Sequence, residues 1–352
     1  MPWPAPPALA QALAGLALAA LLPGAAAQEQ ARDQAAEHGR LLDAPDRIEW
    51  EAGGLYEGRL EDGARFQIEL AYGAPATAPA AARGIMPSAY WNPRQFTGAV
   101  AALEARPAAP GSLLLVRTPQ SGAPGGERFA ITLGPDRREG RGSWSAANGR
   151  QLAFSLRRLV PYRAVALTRP APEAQAEGSN QRFTYSALFP VLGDEAVDAW
   201  VRARAATCEA SIDCANQVRV AWHSNGLLSL EAGIWSYSLG AAHGQYVAIR
   251  RHYGLAGGKP VHVRFTNFVD AGAACRQKVS TLLVAKLTAQ GLSWPEEGTL
   301  DDLREPEFSP TPEGIVFHWN PYEVGSYAQG APRVFLTRAE LGDCARNLPR
   351  YE

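Results

Sequence analysis

The chain has almost no lysine. Lys259, Lys278 and Lys286 are the only three among 34 basic residues, and the formal net charge is −1. No global basic excess exists to argue for nucleic-acid binding. The arginine-for-lysine bias reads as genome composition. Catalytic signatures are also missing. No Gly-x-Ser-x-Gly pentapeptide supplies a hydrolase elbow, and no His-Glu-x-x-His supplies a zinc site. Gly257-Gly258-Lys259-Pro260 lacks the leading glycine of a phosphate loop and follows its lysine with proline. It reads as a hairpin tip. The six histidines, at 38, 223, 243, 252, 262 and 318, show no metal-ligand spacing. The sequence therefore points to no metal, no cofactor and no catalytic set, and the enzyme question leans towards no.

Long apolar runs are scarce too. Residues 1–27 hold no charge and carry a leucine-alanine run from Leu9 to Leu22, ending in Ala25-Ala26-Ala27 before Gln28. This pattern is that of a secretory signal, and the run is shorter than the ~20 residues that span a bilayer. Nothing comparable recurs, so no membrane span is expected after signal removal. The expected location is the bacterial envelope, periplasmic or extracellular. Residues 28–46, rich in Ala, Gln, Glu and Arg, read as a flexible tail.

Cysteine is limited to Cys208, Cys214, Cys275 and Cys344. In an exported chain four cysteines read as two disulfides, and three pairings are possible. The favoured one joins the near pair, 208 with 214, and the distant pair, 275 with 344.

Two domains are expected. Residues 47–160 read as all-β, an antiparallel meander, sandwich or small barrel. Phe66, Ile68 and Leu70 alternate with polar residues, as do Phe129, Ile131, Leu133 and Leu152, Phe154, Leu156. Asp62-Gly63 and Asn148-Gly149 supply hairpin turns. Tyr90, Trp91 and Arg94 form one aromatic cluster that an exposed face would turn towards sugar or aromatic ligands. The alternative for these rings is a plug at the end of the β core.

A Pro/Ala/Glu-rich stretch at 161–181, with room for a short strand at Ala164 to Leu167, reads as the interdomain boundary. Residues 182–349 then read as α+β, an antiparallel sheet with packed helices. Asp194 caps a helix with Val197, Trp200 and Val201 on one face, and a second helix runs from Arg276 to Gln290. In residues 228–239 the apolar phase flips near Gly233, which predicts a bulge or bend there. Arg250, His252, His262 and Arg264 fall on polar faces and suggest a solvated basic patch. Pro295 to Glu307 is acid-rich.

The most informative stretch begins at Gly314. Ile315, Phe317 and Trp319 alternate with Val316 and His318, a strand with one buried face. Asn320-Pro321 ends it. Tyr322, Glu323 and Tyr327 then decorate a loop, before a strand at Val334 to Leu336 and a capping box at Thr337-Arg338-Ala339-Glu340. A strand ending in Pro-Tyr-Glu, then Tyr-Ala-x-Gly, then a strand and helix, resembles the C-terminal domain of the RsiV family. That family includes the lysozyme-sensing ectodomain of an anti-sigma factor and a domain appended to some peptidoglycan deacetylases. Ser236 to Gly244 is similar to the family's Tyr-x-x-Gly-Ala-His-Gly turn, with one extra alanine. The resemblance covers the second half of the chain and implies an α+β domain.

The functional expectation is a non-catalytic, exported binding protein. The resemblance implies a basic protein ligand such as lysozyme, or a peptidoglycan fragment. The ligand-binding candidates are Tyr322, Glu323, Tyr327, Tyr237 and His243. Tyrosine supplies contact area at low entropic cost, and a carboxylate adds a charge-assisted partner. For His243 the competing role is structural, fixing a tight small-residue turn. Two other classes stand beside this reading: a cell-wall hydrolase or esterase with an interdomain site, and a structural or assembly module. The sequence does not fix an oligomeric state.

Overall fold

The computed structural model describes residues 48–70, 89–91, 101–107, 112–117, 128–146, 148–170, 184–207, 212–224, 226–238, 240–256, 258–292 and 307–351. The expected signal and tail, Arg94 and most of the acidic stretch lie outside these residues, as do the side chains of Tyr90 and Trp91. Asp46–Glu352 forms one compact unit.

That unit is mostly strand. A large sheet runs in the order β1 to β13, and a small one holds β14, β15 and β16. The first eight strands are β1 (Ile48–Leu60), β2 (Arg65–Leu70), β3 (Ala89–Trp91), β4 (Ala101–Pro107), β5 (Ser112–Arg117), β6 (Arg128–Leu133), β7 (Glu139–Ser145) and β8 (Gln151–Pro170). β1 also pairs with β8, so these eight close on themselves. The alternating residues fill the interior: Phe66, Ile68, Phe129, Ile131, Phe154 and Leu156 share one core, with three phenylalanine rings 5.4 to 6.1 Å apart. Each strand turns one side inward because successive side chains alternate.

β8 is twenty residues long and passes through the boundary expected at 161–181 as far as Pro170. Its later residues, Arg163 to Pro170, pair with β9 (Thr184–Val191). A proline at the strand end removes one donor without breaking the ladder behind it. Helix α1 (Glu195–Ala205) then carries the chain over to β10 (Ile212–Ser224), which lies parallel to β9. This crossover makes one parallel pair in a sheet expected to be wholly antiparallel. Asp194 caps α1 by accepting from the amides of Ala196 and Val197 at 3.1 and 3.0 Å.

β11 (Leu227–Ser238) and β12 (Gln245–Gly254) extend the sheet. The predicted bulge at Gly233 is absent, because Gln217, Gly233 and Ala248 stay in register across three strands. The irregularity falls on β10 between Val220 and Trp222. Two buried β2 side chains satisfy the amides around it. Glu69 accepts from the amide of Val220 at 2.7 Å, and Gln67 from that of His223 at 3.0 Å. The phase flip near Gly233 therefore reports a change of covering: residues 227–232 are buried on both faces, and later ones are not.

β13 (Val261–His262) closes the large sheet. Helix α2 (Ala273–Ala289) packs Val279, Leu283 and Leu287 into a core shared with β14 (Phe308–Thr311), β15 (Gly314–His318) and β16 (Arg333–Thr337). β15 is the middle strand, and Gly314 to His318 are all buried. The expected one-sided burial is thus corrected to two-sided. Cys275 in α2 is bonded to Cys344, the favoured distant pairing. Cys214 is disulfide-bonded as well, and Cys208 lies outside the described residues. Thr337 and Glu340 form the predicted reciprocal cap at the start of α3 (Arg338–Leu341).

Candidate functional site

The small sheet meets the large one along the outer edge of β12, and the site is built there. A free strand edge exposes unpaired amides, which proteins normally cover. Here two side chains do so. Asn320 Oδ1 accepts from the Ala248 amide at 2.7 Å, and Glu307 Oε2 from the Arg250 amide at 2.8 Å. Asn320 therefore anchors the loop after β15 against the end of β12.

The turn after Asn320 is tight. Glu323 donates its amide to the carbonyl of Asn320 at 3.2 Å, with Pro321 and Tyr322 between. Tyr322 has φ +73°, where a type II turn normally wants glycine or asparagine. A bulky residue held there stores of order 1–3 kcal/mol of strain. The Glu323 carboxylate compensates by accepting from the Asn320 amide at 2.7 Å and its side-chain amide at 3.2 Å. Glu323 is thus the clamp of the turn, and Tyr322, 61% exposed, is its display residue.

The second half of the site comes from the turn between β11 and β12. Gly244 O accepts from Tyr327 Oη at 2.6 Å and from His243 Nδ1 at 2.9 Å, using both carbonyl lone pairs. With its Nδ1 proton committed to a carbonyl, neutral His243 accepts at Nε2 from the Tyr322 hydroxyl, 3.0 Å away. The His243 ring stacks on Tyr327 at 3.8 Å and 18°. Tyr322 lies 5.6 Å from Tyr327. Gly244 has to be glycine: a Cβ there would sit 2.5 Å from Nε1 of Trp235. Trp235 in turn stacks on Tyr237 at 6.5 Å and 12°.

Three of the five candidates read from sequence therefore gather at one glycine carbonyl, His243 and Tyr327 directly and Tyr322 through His243, while Tyr237 stacks on Trp235, whose ring packs against Gly244. The fifth, Glu323, faces its own turn. Sequence reasoning missed Trp235 and Asn320. Trp235 carried a signal, since it shares the alternation of Glu231, Gly233 and Tyr237 on β11. Asn320 carried none beyond its place before proline.

The expected basic patch is only half solvated: His262 and Arg264 are exposed, and His252 and Arg250 are not. His252 is buried, with Nδ1 at 2.8 Å from Ser229 Oγ and Nε2 at 2.8 Å from the Phe308 carbonyl. Burial drives its pKa down to about 3, so it stays neutral. Arg250 is buried with Glu231, which also pairs with Arg219. Burial alone would raise the Glu231 carboxyl, but Arg219 and Arg250 override it and hold it at about 2. Burial lifts Glu307 to about 7, with Arg250 offsetting part of the rise.

Residues 267–339 carry a domain matching the family described as "Protein of unknown function (DUF3298)". This span runs from before α2 into α3 and includes Tyr322, Glu323 and Tyr327, but not Tyr237 or His243. No curated protein matches the chain. Among solved structures, a DUF3298 family protein from Pseudomonas aeruginosa PAO1 shares 15% identity over 55% of this chain and 98% of its own, with TM-score 0.39. A member of the same family from Bacteroides fragilis shares 14% identity over 54% and 95%, also at TM-score 0.39.

Proposed function

We propose that the chain is an exported envelope protein that works by recognition, with the Tyr322–His243–Tyr327 platform as its contact surface. The observation that carries this reading is the strained display of Tyr322. A tyrosine at φ +73°, clamped by Glu323 and held from the side by His243, is costly for folding alone. Such strain is typically retained where a side chain must be aimed at something. Rigid aromatic rings with a polar tip bury large area on binding with little further loss of rotamer freedom.

The ligand class comes from the RsiV-like sequence features: a cell-wall-associated protein of the lysozyme kind, or a glycan of the wall itself. The carboxylates of the 295–307 stretch would steer a basic protein towards the domain. Periplasmic or extracellular placement belongs to the same proposal. Calorimetry of the chain with lysozyme and with soluble peptidoglycan fragments tests it. Saturable binding to either supports the reading, and no heat with both rejects the ligand class.

A further inference from the structure

The open face of the large sheet carries a groove of about 390 Å³ that the platform does not use. Its construction is set by register. Residues directly opposite in a sheet point the same way, so pairing defines rows across the strands. One row is Ser186, Ala215, Trp235 and Tyr246; the next is Ala166, Leu188, Gln217 and Gly233. The third contains Arg219, Glu231 and Arg250. The middle row is low at Ala166 and Gly233, whose side chains are smallest. It runs between an aromatic wall and an ionic wall. At ~4.8 Å per strand it crosses four strands in about 14 Å.

The two walls differ in chemistry. Trp235 is 37% exposed, and Tyr246 leans over the floor, its hydroxyl 2.9 Å from where a Gly233 Cβ would stand. On the ionic side two guanidiniums face one carboxylate. Glu231 and Arg250 are 4% exposed, while the Arg219 side chain is 17% exposed and lines the groove. Glu231 takes only part of what Arg219's five N–H donors offer. Arg333 adds a further positive charge felt by Glu231. Glu69 also feels Arg219, so three guanidiniums (219, 250, 333) face three carboxylates (69, 231, 307), and burial keeps two of those, Glu69 and Glu307, from ionising until about pH 7. No strand edge opens along this floor, because β8 to β12 are paired side by side. A peptide backbone would find no ladder to join. A sugar needs none: its C–H face packs on indole, and its hydroxyls suit Ser186 and Gln217.

We propose that this groove is a second binding site, distinct from the platform, for a short chain of carboxylated sugar. One ring lies on the floor against Trp235 and Tyr246, and a carboxylate reaches Arg219 as a charge-assisted, bidentate partner. The site stands whether or not the platform binds a wall protein.

The test is calorimetry of the full chain with trigalacturonate, a neutral galacto-oligosaccharide of the same length, and hexaglutamate. The expected result is saturable one-to-one binding of trigalacturonate that weakens with salt, with the other two at least tenfold weaker. Ala215 is exposed, so Ala215→Glu places a negative charge in the groove without touching a core. It should weaken trigalacturonate at least tenfold with an unchanged melting temperature; Trp235→Ala should weaken it at least tenfold as well, with some loss of stability because its ring packs on Tyr237 and Gly244. Arg138→Ala, at an exposed turn outside the groove, should bind like wild type. Absence of saturable binding overturns the proposal. So do equal affinity for the neutral sugar, equal affinity for hexaglutamate, or full binding by Ala215→Glu.

Discussion

His243 and Tyr327 lie face to face, 3.8 Å apart, because both donate to the same carbonyl, that of Gly244. One residue comes from the turn between β11 and β12 and the other from the loop after β15. The shared acceptor therefore ties the small sheet's loop to the large sheet, and Asn320 ties it a second time at Ala248.

Removing the second tie isolates its contribution. Asn320→Ala leaves the Ala248 amide without its acceptor and removes the side-chain half of the Glu323 clamp, while the backbone amide at 320 still donates to Glu323. The expected loss is about 1–2 kcal/mol in urea unfolding. A variant within a few tenths of wild type would mean that water replaces the side chain without cost.

Tyr322 occupies a backbone conformation that asparagine tolerates far better. Tyr322→Asn should therefore unfold no earlier than wild type, with a gain of up to ~1 kcal/mol, while removing the displayed ring. Loss of more than ~1 kcal/mol would show that the ring is a stabilising contact rather than a strained one.

The Cys275–Cys344 bond closes a loop of sequence separation 69. In the chain-entropy account such a loop contributes about 4 kcal/mol, so the double variant Cys275→Ser, Cys344→Ser should melt well below the parent. An unchanged melt would place the stability of the α2 region in its core alone.

Glu69 is buried between the Val220 amide and the Tyr162 hydroxyl, which donates to it at 2.8 Å. Burial raises its carboxyl to about 7. The folded state then binds a proton that the unfolded chain releases near pH 4.5. Its contribution is fully present below that pH and is lost as pH rises through 7. Because His252 and Glu307 titrate nearby, the informative quantity is a difference. Glu69→Gln should gain on wild type steadily from pH 4.5 to 8, by roughly 3 kcal/mol at the top. A pH-independent difference would contradict the raised carboxyl.

Local patterns were legible and long-range ones were not. The alternation of Phe66, Ile68 and Leu70 named the face that fills the closed core, but not that Gln67 and Glu69 on the other face are buried against β10. Asp62-Gly63 and Asn148-Gly149 turn as expected, with glycine φ of +86° and +83°. Asp194 and the Thr337–Glu340 box cap helices, since capping is decided within four residues. His252 and Arg250 misled because β12 reads as amphipathic while the small sheet covers its other face. Nothing in a strand's own sequence reports a second layer. The span of β8 past Pro161 was half legible: a strand at Ala164 to Leu167 could be read, but not that it continues β8, because its partners β1 and β9 come from distant sequence. The platform was half visible. Its tyrosines and His243 stood out as residue types, whereas the carbonyl that gathers them has no letter.

Recognition by this protein depends on the exposed aromatic surface being a contact surface. The most direct test is a parallel titration of wild type, Tyr322→Ser and His243→Ala with lysozyme and with soluble peptidoglycan fragments, after matching their melting temperatures. The predicted result is saturable binding by wild type to one of the two ligands and at least a tenfold loss in both variants. Binding that both variants retain in full would contradict it.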